Sequence, residues 1–169
     1  MNRCVPAALA LALIATIASA DDKQPSLDKI KKLVGEWVAL DEKGKPTDQV
    51  VSSFRIIAGG SAVQETIFPG KGEEMVSIYH MDGKDLLMTH YCSLGNQPKM
   101  KLDPKGKDNQ LKFDFAGGTN FDPAKDMHMH EGLITILDDN HIEWSWAGYD
   151  GGKPADGHKV SMKLERKKK

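Results

Sequence analysis

His141-Ile142-Glu143-Trp144-Ser145-Trp146, following the turn residues Asp138-Asp139-Asn140, decides how the chain is read. Ile142, Trp144 and Trp146 fall on one side of an extended backbone, and His141, Glu143 and Ser145 on the other. Successive side chains of a β-strand point to opposite faces, so this segment is a strand with one dry face and one wet face. The same alternation recurs around it. Leu111, Phe113 and Phe115 oppose Lys112 and Asp114, while Val160, Met162 and Leu164 oppose Ser161, Lys163 and Glu165. One apolar face per strand calls for a core on that side and water on the other, as in antiparallel sheets.

Working outward, short β-rich runs follow one another from Gly35 to the C-terminus. They are Glu36–Leu40, Val50–Ile57, Ala62–Phe68, Glu74–Met81, Asp85–Cys92, Lys99–Leu102, Gln110–Phe115, Met127–Leu137, His141–Ala147 and Lys159–Arg166. Asp82-Gly83 is a strong hairpin signal, and Gly59-Gly60, Pro69-Gly70 and Asp150-Gly151-Gly152 mark further turns. Such even spacing predicts a sandwich or a barrel. A meander of this length exposes two strand edges unless the sheet closes. The expected fold is therefore a mostly β, antiparallel up-and-down barrel of about eight to ten strands, with a two-sheet sandwich as the alternative. Before Gly35, the spacing of Leu27, Ile30, Leu33 and Val34 predicts a short helix over Leu27–Val34, with Ser26 as its cap. Trp37 is expected to plug the core beneath it.

The N-terminus reads as a secretory signal. Arg3 is the only charge among residues 1–20, Pro6 to Ala18 is apolar, and Ala18-Ser19-Ala20 is a small-x-small cleavage pattern followed by Asp21-Asp22-Lys23. The run is too short to span a bilayer, which takes about 20 apolar residues. Cys4 precedes that run, which argues against a lipoprotein anchor. The chain thus divides into a signal peptide (1–20), a leader (21–26), a barrel domain (27–166) and a basic tail (167–169), and is expected to be exported, periplasmic or secreted. Cleavage removes Arg3 and leaves 22 basic against 24 acidic residues, a net charge of −2. That balance excludes nucleic acid as an expected partner, and no second apolar stretch is long enough to cross a membrane. Cys92 is the one cysteine after the leader, so the domain has no internal disulfide.

Leu33-Val34-Gly35-Glu36-Trp37 after a short helix, and then a strand meander, resembles the opening of lipocalin-like (calycin) barrels. His90-Tyr91-Cys92-Ser93-Leu94-Gly95-Asn96-Gln97-Pro98, Met127-His128-Met129-His130 and His141-Ile142-Glu143-Trp144 resemble stretches in a group of exported bacterial proteins of unknown function near that barrel class. The resemblance covers about residues 27–166. It implies the barrel fold and, by analogy with related barrels, a small ligand in the lumen; it implies no activity.

The densest set of chemistry-bearing residues is His90, Cys92, His128 and His130. His90 and Cys92 share strand parity with Leu86 and Met88, an apolar and inward face. His128 and His130 share parity with Ile134 and Ile136, although Met129, Leu133 and Leu137 form a rival apolar face on the same strand. Imidazole with thiolate suits Zn or Cu, so the four residues are a candidate metal set. Alternating Met and His over Met127–His130 also suits copper, because thioether is a soft ligand. Trp144 and Trp146 share a face and offer a stacking surface for a flat ligand. Glu65 and Glu131 are candidate inward acids with no assigned partner. The mature chain holds only Arg55 and Arg166, and Arg55 has outward parity. Nothing therefore supplies the bidentate clamp a fatty-acid carboxylate wants.

Enzyme templates are missing: there is no Gly-x-Ser-x-Gly, no phosphate-binding loop and no His-Glu-x-x-His. The leading expectation is a non-enzymatic carrier or sensor of a small apolar or flat ligand, contacted by His90, Cys92, His128, His130, Trp144 and Trp146. The alternatives are a metal-binding protein, or small metal-dependent enzyme, using the His/Cys set, and an interaction domain of the cell envelope.

Overall fold

The structure, a computed structural model, describes residues 27–168. The expected signal peptide and cleavage site, the expected leader with Ser26, and Lys169 of the basic tail lie outside the described residues. Ten antiparallel strands follow one helix: α1 (Leu27–Lys31), β1 (Gly35–Leu40), β2 (Pro46–Ile57), β3 (Ala62–Ile67), β4 (Met75–Asp82), β5 (Asp85–Tyr91), β6 (Gln97–Leu102), β7 (Gln110–Thr119), β8 (His128–Ile136), β9 (His141–Asp150) and β10 (Lys153–Arg166). Each strand pairs with its sequence neighbours, and β1 closes the sheet onto β10 through Trp37↔Arg166, Val38↔Glu165 and Ala39↔Leu164. The fold is the closed barrel, not the sandwich.

The helix is shorter than its spacing predicts. It ends at Lys31, and Leu33 and Val34 close tighter turns onto Ile30 and Lys31. Gly35 follows at φ +128°, a conformation that L side chains rarely adopt. That turn drives Leu33 inward while Val34 stays exposed. Leu27, Ile30, Leu33 and Trp37 together seal this end of the barrel. Trp37 donates its indole N–H to the Leu33 carbonyl at 2.8 Å. Arg166 lies over the other side of its ring, 4.3 Å from the centroid. The same guanidinium donates to the carbonyls of Val34, Lys32 and Asp139 at 2.6, 2.9 and 3.0 Å. One side chain thus ties the helix, the closing strand pair and the β8–β9 turn together.

The inward row runs as the alternation predicts except at the far end of β10, where Val160 is exposed. Leu111, Phe113, Ile142, Trp144 and Leu164 are buried, as are Leu86, Met88 and Met100. Tyr79 packs between Phe54 and Phe113, with ring centroids 6.3 and 5.6 Å away.

The end opposite α1 is built differently. The β9–β10 hairpin turns on Gly151 and Gly152, at φ +56° and +71°, the backbone that a tight two-residue turn requires. Pairing then starts at Lys153↔Asp150, so β10 begins six residues earlier than its alternation suggests. The register breaks between Pro154 and Lys159. β1 pairs with β10 only at Leu164, Glu165 and Arg166, which leaves the Lys153–Lys163 stretch of β10 with β9 as its one partner strand. The barrel is closed at the helix end and loose at this mouth.

Candidate functional site

Two adjoining hollows lie at the mouth side of the core. The inner one is small, about 20 Å³, and is lined by Glu65, Ser77, Tyr79, Met88, His90, Phe113, Trp144 and Trp146 among others. A space of that size holds one water or one polar atom of a larger molecule. The outer one, about 310 Å³, has apolar walls of Phe68, Met75, Leu94, Met129, Val160 and Met162. Cys92, Met127, His128 and His158 also line it. Trp146 and Met129 line both hollows, so the two adjoin.

The floor is polar because three strands place short polar residues on the inward face at one level. Glu65 pairs with Ser77, and Ser77 with His90. Glu65 is 1% exposed. It accepts hydrogen bonds from the Ser52 hydroxyl and, at 2.5 Å, from the Tyr79 hydroxyl; the Trp144 indole N–H is a further donor. Burial raises its pKa above the usual carboxylate value even against these donors. Burial, reinforced by the adjacent carboxylate, likewise raises that of Tyr79.

His90 is fully buried. Its Nδ1 lies 3.0 Å from the Ser77 hydroxyl, while its Nε2 has no partner. Burial lowers its pKa to about 4, so the imidazole is neutral at ordinary pH. The Trp146 ring stands edge-on to it, centroids 5.3 Å apart, and the Trp146 indole N–H is also buried without a partner. Two unpartnered polar atoms therefore belong to residues lining the small hollow, and one of those residues, Trp146, also lines the large one. An unpaired buried polar group costs about 1–3 kcal/mol.

The residues expected from sequence come together in part. His90 and Cys92 do share the inward face with Leu86 and Met88, but at successive levels. His90 lines the inner hollow and Cys92 the outer one. Cys92 lies one residue beyond β5, in a turn where its N–H meets the Asn96 carbonyl. Trp144 and Trp146 meet edge-to-face at 4.7 Å.

His128 and His130 depart from the expectation that they share the face of Ile134 and Ile136. A β-bulge between Met129 and Glu131 shifts the register against β9. Beyond it, Gly132 pairs with Trp146 and Ile134 with Trp144; before it, Met129 pairs with Gly148 and His128 with Tyr149. Both rival apolar faces are thus inward, each on its own side of the bulge. Met129 takes the place the histidines were expected to hold. His128 and His130 form an aromatic cluster with Phe115, Phe121 and Tyr149, His130 stacking on Tyr149 at 3.6 Å. His128 Nδ1 lies 2.8 Å from the Asp126 carbonyl, and its Nε2 lies 3.0 Å from His130 Nδ1. His128 still contributes to the lining of the outer hollow; His130 lines neither. Among the described residues no three His, Cys, Asp or Glu side chains converge as metal ligands. The set His90, Cys92, His128 and His130 is therefore not assembled.

Of the two candidate acids, Glu65 is inward and triply hydrogen-bonded, while Glu131 is exposed. The alternation of Val63, Glu65 and Ile67 marked Glu65 as inward. Its partners come from β2, β4 and β9 and could be found only from strand register.

No protein-family model matches the chain, and no curated protein matches it. Among the described residues no helix is long and apolar enough to cross a membrane.

Proposed function

We propose that this protein is an exported, lipocalin-like carrier or sensor, which holds a small, mostly apolar, flat ligand in the outer hollow and reaches one polar atom of it down to His90. The observation that carries this reading is the pair of buried, unpartnered atoms, His90 Nε2 and Trp146 Nε1, on residues lining the inner hollow, one of which, Trp146, also lines the adjoining apolar cavity. Small-molecule sites have that composition: apolar walls, and a few placed polar groups that fix orientation. A ligand atom in the inner hollow would satisfy both groups and recover the cost of leaving them dry. The volume, about 310 Å³, lies at the low end of the range for such sites, about 300–1,000 Å³. That size favours a compact ring system over a long acyl chain. The lack of an inward arginine points the same way, since Arg55 is exposed and bonded to Gln64, and Arg166 is committed to the closed end.

The test uses the fluorescence of Trp144 and Trp146. Titration with N-phenylnaphthylamine, a flat apolar amine, should quench tryptophan emission and brighten the dye in a saturable way. Replacement of His90 by Leu should weaken that binding while circular dichroism stays that of a β-barrel. Dye binding that is non-saturable, or identical in the two proteins, would remove the basis for this reading.

A further inference from the structure

The outer hollow carries a second chemistry that the organic-ligand reading does not use and on which it does not depend. Sulfur is concentrated there: Met75, Met127, Met129 and Met162 all line it, together with the Cys92 thiol. These residues come from β4, β8, β10 and the segments just outside β5 and β8, so the clustering is made by the fold and not by one local motif. The Cys92 and Met75 sulfurs are 4.0 Å apart. A closed-shell metal binds thiolate sulfur at about 2.3 Å. Two sulfurs at that bond length and 4.0 Å apart subtend about 120°, the angle of a three-coordinate site. Further donors line the same hollow. The side chains of Met127 and His158 both crowd Gly148, the Met127 methyl 3.1 Å and the His158 Cβ 3.4 Å from where a Cβ would be.

Charge decides which metal suits this cavity. Its lining holds one ionisable thiol, neutral thioethers, two histidines and no carboxylate. A divalent ion bound by one thiolate would leave a net positive charge among apolar walls, which is costly without a counter-ion. A monovalent ion bound by one thiolate is neutral as a complex. Thioether is a soft ligand that selects Cu(I) over the harder divalent ions. We infer that the mouth cavity is a Cu(I) site, with Cys92 and Met75 as its first two ligands and a thioether of Met127, Met129 or Met162 as the third. Binding replaces the thiol S–H bond by a sulfur–copper bond and releases the proton to solvent; no electron is transferred.

The probe is Cu(I) presented to the purified protein as its bicinchoninate complex, kept reduced by ascorbate without oxygen. The wild-type protein should withdraw one equivalent of copper from the chelator. Met75→Leu, which conserves volume, and Cys92→Ser should each weaken retention by about tenfold or more, the scale on which even outer-shell changes act at metal sites. Copper-edge X-ray absorption should show at least two sulfur scatterers, and Zn(II) should not be held with comparable affinity. The inference is overturned if the wild type withdraws no copper, if both variants withdraw it as the wild type does, if the scatterers are nitrogen or oxygen alone, or if Zn(II) is held as tightly. Circular dichroism of the variants separates lost ligands from lost fold. Dye binding through His90 is a different measurement on different atoms, so either reading can fail alone.

Discussion

Replacing His90 by Leu should make the protein less acid-sensitive while it loses its ligand. The wild-type imidazole is fully buried and takes a proton only near pH 4, whereas in the unfolded chain it takes one near 6.5. Between those values the unfolded state binds the proton and the folded state does not, so folding stability falls as pH falls through this window. The gap, at about 1.4 kcal/mol per pKa unit, amounts to about 3 kcal/mol lost by pH 4. Leucine carries no such proton. At pH 7 two effects oppose. The variant removes the unpartnered Nε2, which costs about 1–3 kcal/mol in the wild type. It also leaves the buried Ser77 hydroxyl without its partner at 3.0 Å, which costs about 1–3 kcal/mol. The two should leave the variant within about 2 kcal/mol of the wild type at neutral pH. Urea unfolding at pH 7, 6, 5 and 4 measures this directly. As acid is added, the difference between variant and wild-type stability should move by about 3 kcal/mol in favour of the variant, whatever its sign at pH 7. Parallel pH profiles would refute the assignment of His90 as a buried neutral imidazole.

Glu65→Leu should destabilise the protein by about 3 kcal/mol in urea unfolding, because it strips the acceptor from the buried Ser52 and Tyr79 hydroxyls; Glu65→Gln keeps an acceptor and should cost less. Since burial raises the Glu65 pKa, its ionisation penalises folding as pH rises above 4.5, so the wild type should lose stability relative to Glu65→Gln on going from pH 4 to pH 7. Arg166→Met should cost about 2–4 kcal/mol in thermal or urea unfolding, from three main-chain carbonyls left without their donor and a lost cation–π contact on Trp37. Gly148→Leu should abolish dye binding with little change in circular dichroism, since its side chain would enter the cavity against the movable end of Met127.

The barrel was legible because its signal is local. An apolar residue at every second position, in runs bounded by Gly, Asp and Pro, is produced strand by strand, and nothing distant is needed to read it. The inward placement of His90, Trp144 and Glu65 follows from the same parity. What was not legible depends on register. The bulge at Met129–Glu131 adds one residue to β8 and reverses parity, and no residue type in Met129-His130-Glu131 announces it. Parity alone therefore offered two rival faces for His128 and His130, and the structure uses both. The hydrogen bonds of Glu65 are unreadable for the same reason: Ser52, Tyr79 and Trp144 become its neighbours only when β2, β4 and β9 are aligned. The mouth cavity is a third case. It exists because β10 breaks register between Pro154 and Lys159 and meets β1 only near its end, a mismatch of strand lengths that the turn signals do not encode.

Native mass spectrometry of the protein purified from its own cells tests the central claim most directly. The account predicts that wild-type protein, sprayed gently, carries a mass excess equal to one small organic molecule, and that His90→Leu, purified in parallel, lacks that organic excess. A wild-type protein of bare polypeptide mass in every preparation, or an organic excess retained unchanged in His90→Leu, would contradict it.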